Sequence, residues 1–108
     1  MRDEEQLLHY IRENAKAYAE AKAQAVYLDH YRKSKLAMLI NEAEKKGIKT
    51  AQERDSYARE HTEYIELLKG LSAAIEKEAY LGLMIKGCWA KIDIWRTQQA
   101  NERKERGL

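Results

Sequence analysis

Apolar residues recur at three- and four-residue intervals along two long stretches of the chain, and one polar, turn-bearing stretch separates them. From Asp3 to Lys46 there is no proline and no glycine, and strong helix formers dominate. Leu7, Ile11, Tyr18, Ala25, Leu28, Leu36, Leu39, Ile40 and Ala43 follow one another at spacings of mostly three, four or seven. That is the period of one face of a helix, so the pattern predicts a helix over residues 3–46. Ala15, Ala17, Ala19, Ala21, Ala23 and Ala25 make its middle thin on every side. A thin helix lets a neighbouring backbone come close, and its shallow apolar stripe needs a partner.

Gly47 stands where the glycine after a helix belongs, with Lys45 and Lys46 in the last turn and Ile48 placed to fold back toward Ala43. Thr50 and Glu53 form a T-x-x-E capping box, a restart signal. Residues 51–62 are polar apart from Tyr57 and two alanines, and form either a short exposed helix or the first turns of the next one. Beyond the connector, 47–62, a second helix is predicted over 63–105. Its apolar positions are dense: Tyr64, Leu67, Leu68, Leu71, Ala74, Ile75, Leu81, Ile85, Cys88, Trp89, Ile92 and Trp95. This is the broad seam of a bundle helix. Gly70, Gly82 and Gly87 lie inside it and mark close helix contacts or a kink.

These elements predict one all-helical domain over residues 1–108, an antiparallel hairpin of two long helices with a short connector. Charge supports that direction. Net charge runs −2 over residues 1–31, +4 over 32–54, −3 over 55–80 and +3 over 81–108. Equal arms would pair basic residues 32–46 with acidic residues 63–77, and acidic residues 3–29 with basic residues 80–106. Exposed ion pairs are worth at most about 1 kcal/mol each, so they favour an orientation rather than supply stability. Arms of roughly 44 residues would be about 66 Å long, with no enclosed core. Leu81, Ile85, Trp89 and Trp95 would then stay largely wet in a monomer, so these residues and Ile92 are the expected interface of a homo-oligomer, a helical bundle or ring.

Composition narrows the function. The longest apolar run, Ala79 to Ile85, is far short of the about 20 residues a bilayer span needs. The start, Met1-Arg2-Asp3-Glu4-Glu5, lacks the features of a secretion signal. With one cysteine, Cys88, no intrachain disulfide can form, and a cytoplasmic location is expected. Residues three before His9, His30 and His61 are Gln6, Tyr27 and Ala58, so the Glu-x-x-His pattern of di-iron bundles is absent. HExxH and a glycine-rich phosphate loop are absent too. Cys88 falls on the apolar seam, as a structural cysteine would. No enzyme activity, cofactor, metal or small-molecule substrate is expected.

One cluster carries a positive reading. Arg32, Lys33, Lys35, Lys45, Lys46, Lys49 and Arg54 gather on the end of the first helix and the connector, with Tyr31 and Tyr57 nearby. Repeated around an oligomer, modest patches add into one phosphate-binding surface, because affinity follows the number of counterions released. Tyrosines beside it can stack on unpaired bases. The competing reading is a solvated helix end with local pairs such as Glu42 to Lys45 or Lys46. Trp89 and Trp95 likewise serve either as anchors for a partner helix or as packing.

The run Tyr31-Arg32-Lys33-Ser34-Lys35-Leu36-Ala37-Met38-Leu39-Ile40-Asn41-Glu42-Ala43-Glu44-Lys45-Lys46 precedes a polar, basic connector, Lys49 to Tyr57. An apolar helix follows, from Glu63-Tyr64-Ile65-Glu66-Leu67-Leu68 through Cys88-Trp89-Ala90-Lys91-Ile92-Asp93-Ile94-Trp95-Arg96. Over roughly residues 27–100 this layout is similar to the UvsY-like small helical recombination mediators of tailed phages, and it resembles small phage proteins sharing the ending "IWR". The resemblance implies a ring-like helical oligomer in the host cytoplasm that binds single-stranded DNA. Such an oligomer helps load a RecA-like recombinase onto strands covered by single-strand-binding protein. The family's basic and aromatic connector maps here to Lys45, Lys46, Lys49, Arg54 and Tyr57. This connector departs from the pattern in carrying Glu53, Asp55 and Glu60.

The leading expectation is therefore a non-enzymatic accessory protein of DNA recombination or replication, an oligomeric scaffold that wraps single-stranded DNA for a second protein. The alternative is a coiled-coil interaction module, an adaptor or phage inhibitor of a host protein, that binds no nucleic acid. It would use acidic faces near Glu60–Glu66 and Glu76–Glu78, or the end of the tryptophan helix.

Overall fold

The computed structural model describes residues 3–107. They form three helices, α1 (Asp3–Lys45), α2 (Ala51–Glu60) and α3 (Thr62–Glu105), with no strand among the described residues. The all-α, antiparallel class expected from the periodicity is the one observed. Met1, Arg2 and Leu108, the ends of the expected 1–108 domain, lie outside the described residues. Residues 51–60 are a helix of their own, which settles the choice that the sequence left open. The described residues pack as two compact units, one of residues 3–20 with 78–107, the other Ala21–Lys77.

In the Ala21–Lys77 unit the later part of α1 runs antiparallel to the start of α3. Leu28 lies beside Gly70, and seven residues further along α1 Lys35 meets Glu63 at 2.6 Å. The covered positions of α1 here are Ala21, Ala25, Leu28, Arg32, Lys35 and Leu39, at alternating steps of four and three. Those of α3 are Tyr64, Leu67, Leu71 and Ala74. This is the a/d seam of a coiled coil, and its alanines let the helices approach closely. Leu39, Ala58 and Tyr64 form a buried cluster, flanked by Leu36 and Ile40.

The bend between α1 and α2 follows its sequence signals closely. Gly47 has φ +88°, the left-handed conformation that glycine adopts without a Cβ penalty. The Ile48 N–H donates to Ala43 O at 3.1 Å and the Gly47 N–H to Glu44 O at 3.0 Å, the paired bonds of a Schellman cap. Thr50 Oγ1 accepts from the Glu53 N–H at 3.1 Å, and Arg54 Nε donates to Ile48 O at 2.7 Å. His61 is extended (φ −65°, ψ 135°) and closes α2. It also opens α3, its Nδ1 accepting from the Glu63 N–H at 3.1 Å.

The register differs from that of equal arms. Equal arms would set Lys46 beside Glu63, but Lys35 stands there, an offset of about three helical turns. The reason is α2: Ala58 packs with Leu39, so α2 covers the last turns of α1 in place of α3.

In the other unit the start of α1 runs antiparallel to the end of α3. Tyr18 lies against Gly82, while Leu7 and Trp95 line one groove. A Cβ on Gly82 would sit 3.1 Å from Tyr18 Cε2, so this glycine answers to the close contact its place in the seam suggested. The covered positions of α3 are Leu81, Ile85, Cys88, Ile92 and Trp95, again in steps of four and three. Ile92 is 0% exposed and Leu81 is 7% exposed. This corrects the expectation that the apolar seam stays wet in one chain. Leu81 and Ile92 are covered by the chain's own α1, Ile85 and Trp95 are half-buried, and of the five expected interface residues Trp89 alone is exposed. The half-covered positions of this stretch of α1 include Leu7, Tyr10, Ile11, Asn14 and Tyr18, so large side chains, with Gly82 giving room to Tyr18, close the seam. No helix among the described residues is long and apolar enough to cross a membrane.

Candidate nucleic-acid interface

The bend brings four of the predicted residues together. Lys45, Lys46 and Lys49 flank Gly47 in the chain, and α2 carries Tyr57 to meet Lys46. Lys46 Nζ donates to the Tyr57 hydroxyl at 2.8 Å. It is 5.2 Å from the ring centroid, at the hydroxyl end rather than over the face. That hydrogen bond, with Glu42 adding to it, raises the Lys46 pKa above its ordinary 10.5, so the ammonium stays charged. The Tyr57 ring is also fixed edge-on by His61, centroids 5.7 Å apart. Lys45 and Lys49 are exposed and have no ion-pair partner among the described residues. These two supply mobile positive charge, and Lys46 with Tyr57 supplies a pre-oriented cation and ring.

Three of the remaining cations, Arg54, Arg32 and Lys35, are committed elsewhere. Arg54 is turned to the Ile48 carbonyl and serves the bend. Arg32 Nε donates to Asp29 Oδ1 at 2.9 Å, which lowers the Asp29 pKa and raises that of Arg32. Lys35 is 18% exposed and paired with Glu63, and the contact raises the lysine and lowers the carboxylate. Lys33 is exposed, but about 18 Å of helix separates it from Lys45. The expected cluster thus divides into a charged bend and an ion-paired stretch of α1. Tyr31, half-buried, stacks on Tyr27 with centroids 5.8 Å apart and ring planes 5° from parallel.

Acidic groups bound the bend on the α2 side. Glu42 reaches Lys46 at 3.7 Å and His61 Nε2 at 3.9 Å. An open cleft lined by Thr50, Gln52, Glu53, Ser56, Tyr57 and Glu60 carries two carboxylates that repel phosphate. For a polyanion the favourable charges at the bend are therefore those of the exposed Lys45 and Lys49. Among the described residues no group of three or more His, Cys, Asp or Glu is placed to hold a metal ion.

Two features were not legible in the sequence. His61 caps two helices at once, although histidine is not a usual N-cap residue. In α3, apolar residues also occupy an outward face, with Tyr80, Leu83 and Ile94 exposed. Both faces of α3 contribute to one dense apolar pattern, so periodicity alone does not separate them. Comparison with protein-family models, with curated proteins and with solved structures finds no match to this chain. Fold and site together define a class: an all-α protein of paired long helices with a lysine- and tyrosine-bearing bend.

Proposed function

We propose that the protein is a non-enzymatic accessory factor of DNA recombination or replication, similar to the UvsY-like phage mediators, acting as a homo-oligomeric scaffold for single-stranded DNA. The observation that carries the reading is the bend, where Lys45, Lys46 and Lys49 flank Gly47 in the chain and Lys46 holds Tyr57 by its hydroxyl. Lysines neutralise phosphates without regard to sequence, and a fixed aromatic ring stacks on an unpaired base. Each copy offers a small patch, so affinity comes from several copies engaging one strand. The strand, held along these patches, is presented to a recombinase or a single-strand-binding protein.

Charge reversal of all three lysines (K45E/K46E/K49E) tests the reading. Each lysine that neutralises a phosphate contributes about 0.7 to the log–log salt slope for a single strand. The triple variant should lose most oligo-dT affinity and lower that slope by about 2 for each engaged copy, with oligomer size unchanged. Unaltered binding would remove these residues from the site.

A second reading, a protein-interaction module without nucleic-acid binding, is favoured by a groove of about 390 Å³. Leu7, Ile94 and Trp95 give it an apolar floor, and Asp3, Glu4 and Lys91 supply charge. Such a site suits an apolar anchor on a partner helix. Co-purification of one protein, with no retention on single-stranded DNA, would favour it.

A further inference from the structure

We infer that the outer face of α3 is a self-association seam that takes the same helix of a second copy, antiparallel, about a twofold axis between Gly87 and Ala90. This rests on the homo-oligomeric part of the reading above and names its surface. Tyr80, Leu83, Gly87, Ala90 and Ile94 recur at steps of three, four, three and four, and all are exposed. Tyr80 is 60%, Leu83 70% and Ile94 58% exposed. They form a second a/d run, separate from Leu81, Ile85, Cys88, Ile92 and Trp95, the covered positions of the same helix segment.

No close contact inside its own chain calls for a glycine at position 87. A Cβ there would meet nothing within 4 Å, yet a mid-helix glycine costs about 0.5–1 kcal/mol relative to alanine. Close approach of a second helix supplies the reason. In an antiparallel pair a positions meet d positions. Gly87 then faces the second copy's Ala90, Leu83 faces its Ile94, and Tyr80 faces its Thr97. The small layers fall at the centre and the large ones outside them, a sequence that is complementary to itself.

Charge selects the antiparallel direction and a copy of this chain as occupant. Lys86 and Asp93 flank the seam on one side, and neither has an ion-pair partner among the described residues. In the antiparallel pair Lys86 of each copy lies beside Asp93 of the other, and twofold symmetry makes the contact twice. A parallel pair would instead set Lys86 beside the second copy's Lys91.

The test is sedimentation equilibrium of the full chain over a concentration series, with far-UV circular dichroism to verify helicity. Wild type should associate reversibly to a dimer, and Leu83→Glu should weaken association at least tenfold. Lys86→Glu and Asp93→Lys should each weaken it severalfold, and the double exchange K86E/D93K should restore it, which misfolding cannot mimic. A monomeric wild type, an indifferent Leu83→Glu, or a double exchange no better than the singles would overturn the seam. Oligo-dT titration of the same wild-type samples separates the two readings. A monomer that binds DNA overturns the seam alone, whereas a dimer disrupted by Leu83→Glu that binds no DNA overturns the DNA reading alone.

Discussion

Replacing Gly70 and Gly82 by alanine, one at a time, should change stability in opposite directions. Both glycines lie inside α3, where alanine gains about 0.5–1 kcal/mol of helix propensity. At Gly70 the new Cβ would sit 3.7 Å from Leu28 Cδ1, ordinary van der Waals contact, so the gain is kept. At Gly82 it would sit 3.1 Å from Tyr18 Cε2, with Cζ and the hydroxyl oxygen at 3.7 Å. Carbon atoms prefer about 3.5–4.0 Å, so the half-buried Tyr18 ring must move by tenths of an ångström. Overpacking of this kind costs about 1–3 kcal/mol, which exceeds the propensity gain. Urea denaturation followed by circular dichroism, at one fixed protein concentration because association shifts apparent stability, reads the difference. Gly70→Ala should be more stable than wild type by about 0.5–1 kcal/mol, a rise of roughly 2–5 °C in Tm. Gly82→Ala should be less stable than wild type. If Gly82→Ala stabilises as much as Gly70→Ala, the packing of Tyr18 against α3 is not as described.

Three further outcomes follow from the same geometry. Ile92→Ala, at the largest fully buried side chain, should cost about 2–4 kcal/mol, measured as a lower urea midpoint at unchanged m-value. Gly47→Ala, at φ +88°, should cost about 1–2 kcal/mol from the left-handed conformation alone and shorten the protection of the α1 end in hydrogen exchange. The Lys35–Glu63 pair sets a pH window. Its contribution is complete above the ordinary 4.5 of Glu63 and is lost as pH falls through the lowered folded value. On the alkaline side it is complete below the ordinary 10.5 of Lys35 and is lost as pH rises through the raised value. Glu63→Gln should therefore flatten the acid limb of a stability-against-pH profile below 4.5 and leave helicity unchanged.

Local sequence signals located the bend almost to the residue. Gly47, Ile48 and Thr50 act through bonds spanning a few positions: the two cap bonds at Gly47 and Ile48 and the Thr50 hydroxyl bond to the Glu53 N–H are present, while the return bond from Glu53 to the Thr50 N–H is not. The register was less legible, because it depends on where α2 lies against Leu39, a contact between residues 19 positions apart. The same limit applied to the basic cluster. Net charge along the chain placed Arg32, Lys33 and Lys35 with Lys45, Lys46 and Lys49, but pairing with Asp29 and Glu63 is a matter of which side chain a carboxylate reaches. The α3 pattern hid two seams in one, since residues facing α1 and residues facing outward share the same apolar chemistry. Exposure, not periodicity, assigns Ile92 to the first and Leu83 to the second.

The most direct test of the proposed function is fluorescence anisotropy of labelled oligo-dT with the purified full chain, titrated at low and at physiological salt beside a duplex of equal length. Binding to oligo-dT should be tight at low salt, weaken steeply as salt rises, and exceed binding to the duplex. No binding to oligo-dT at low salt, or equal affinity for the duplex, would contradict the proposed function.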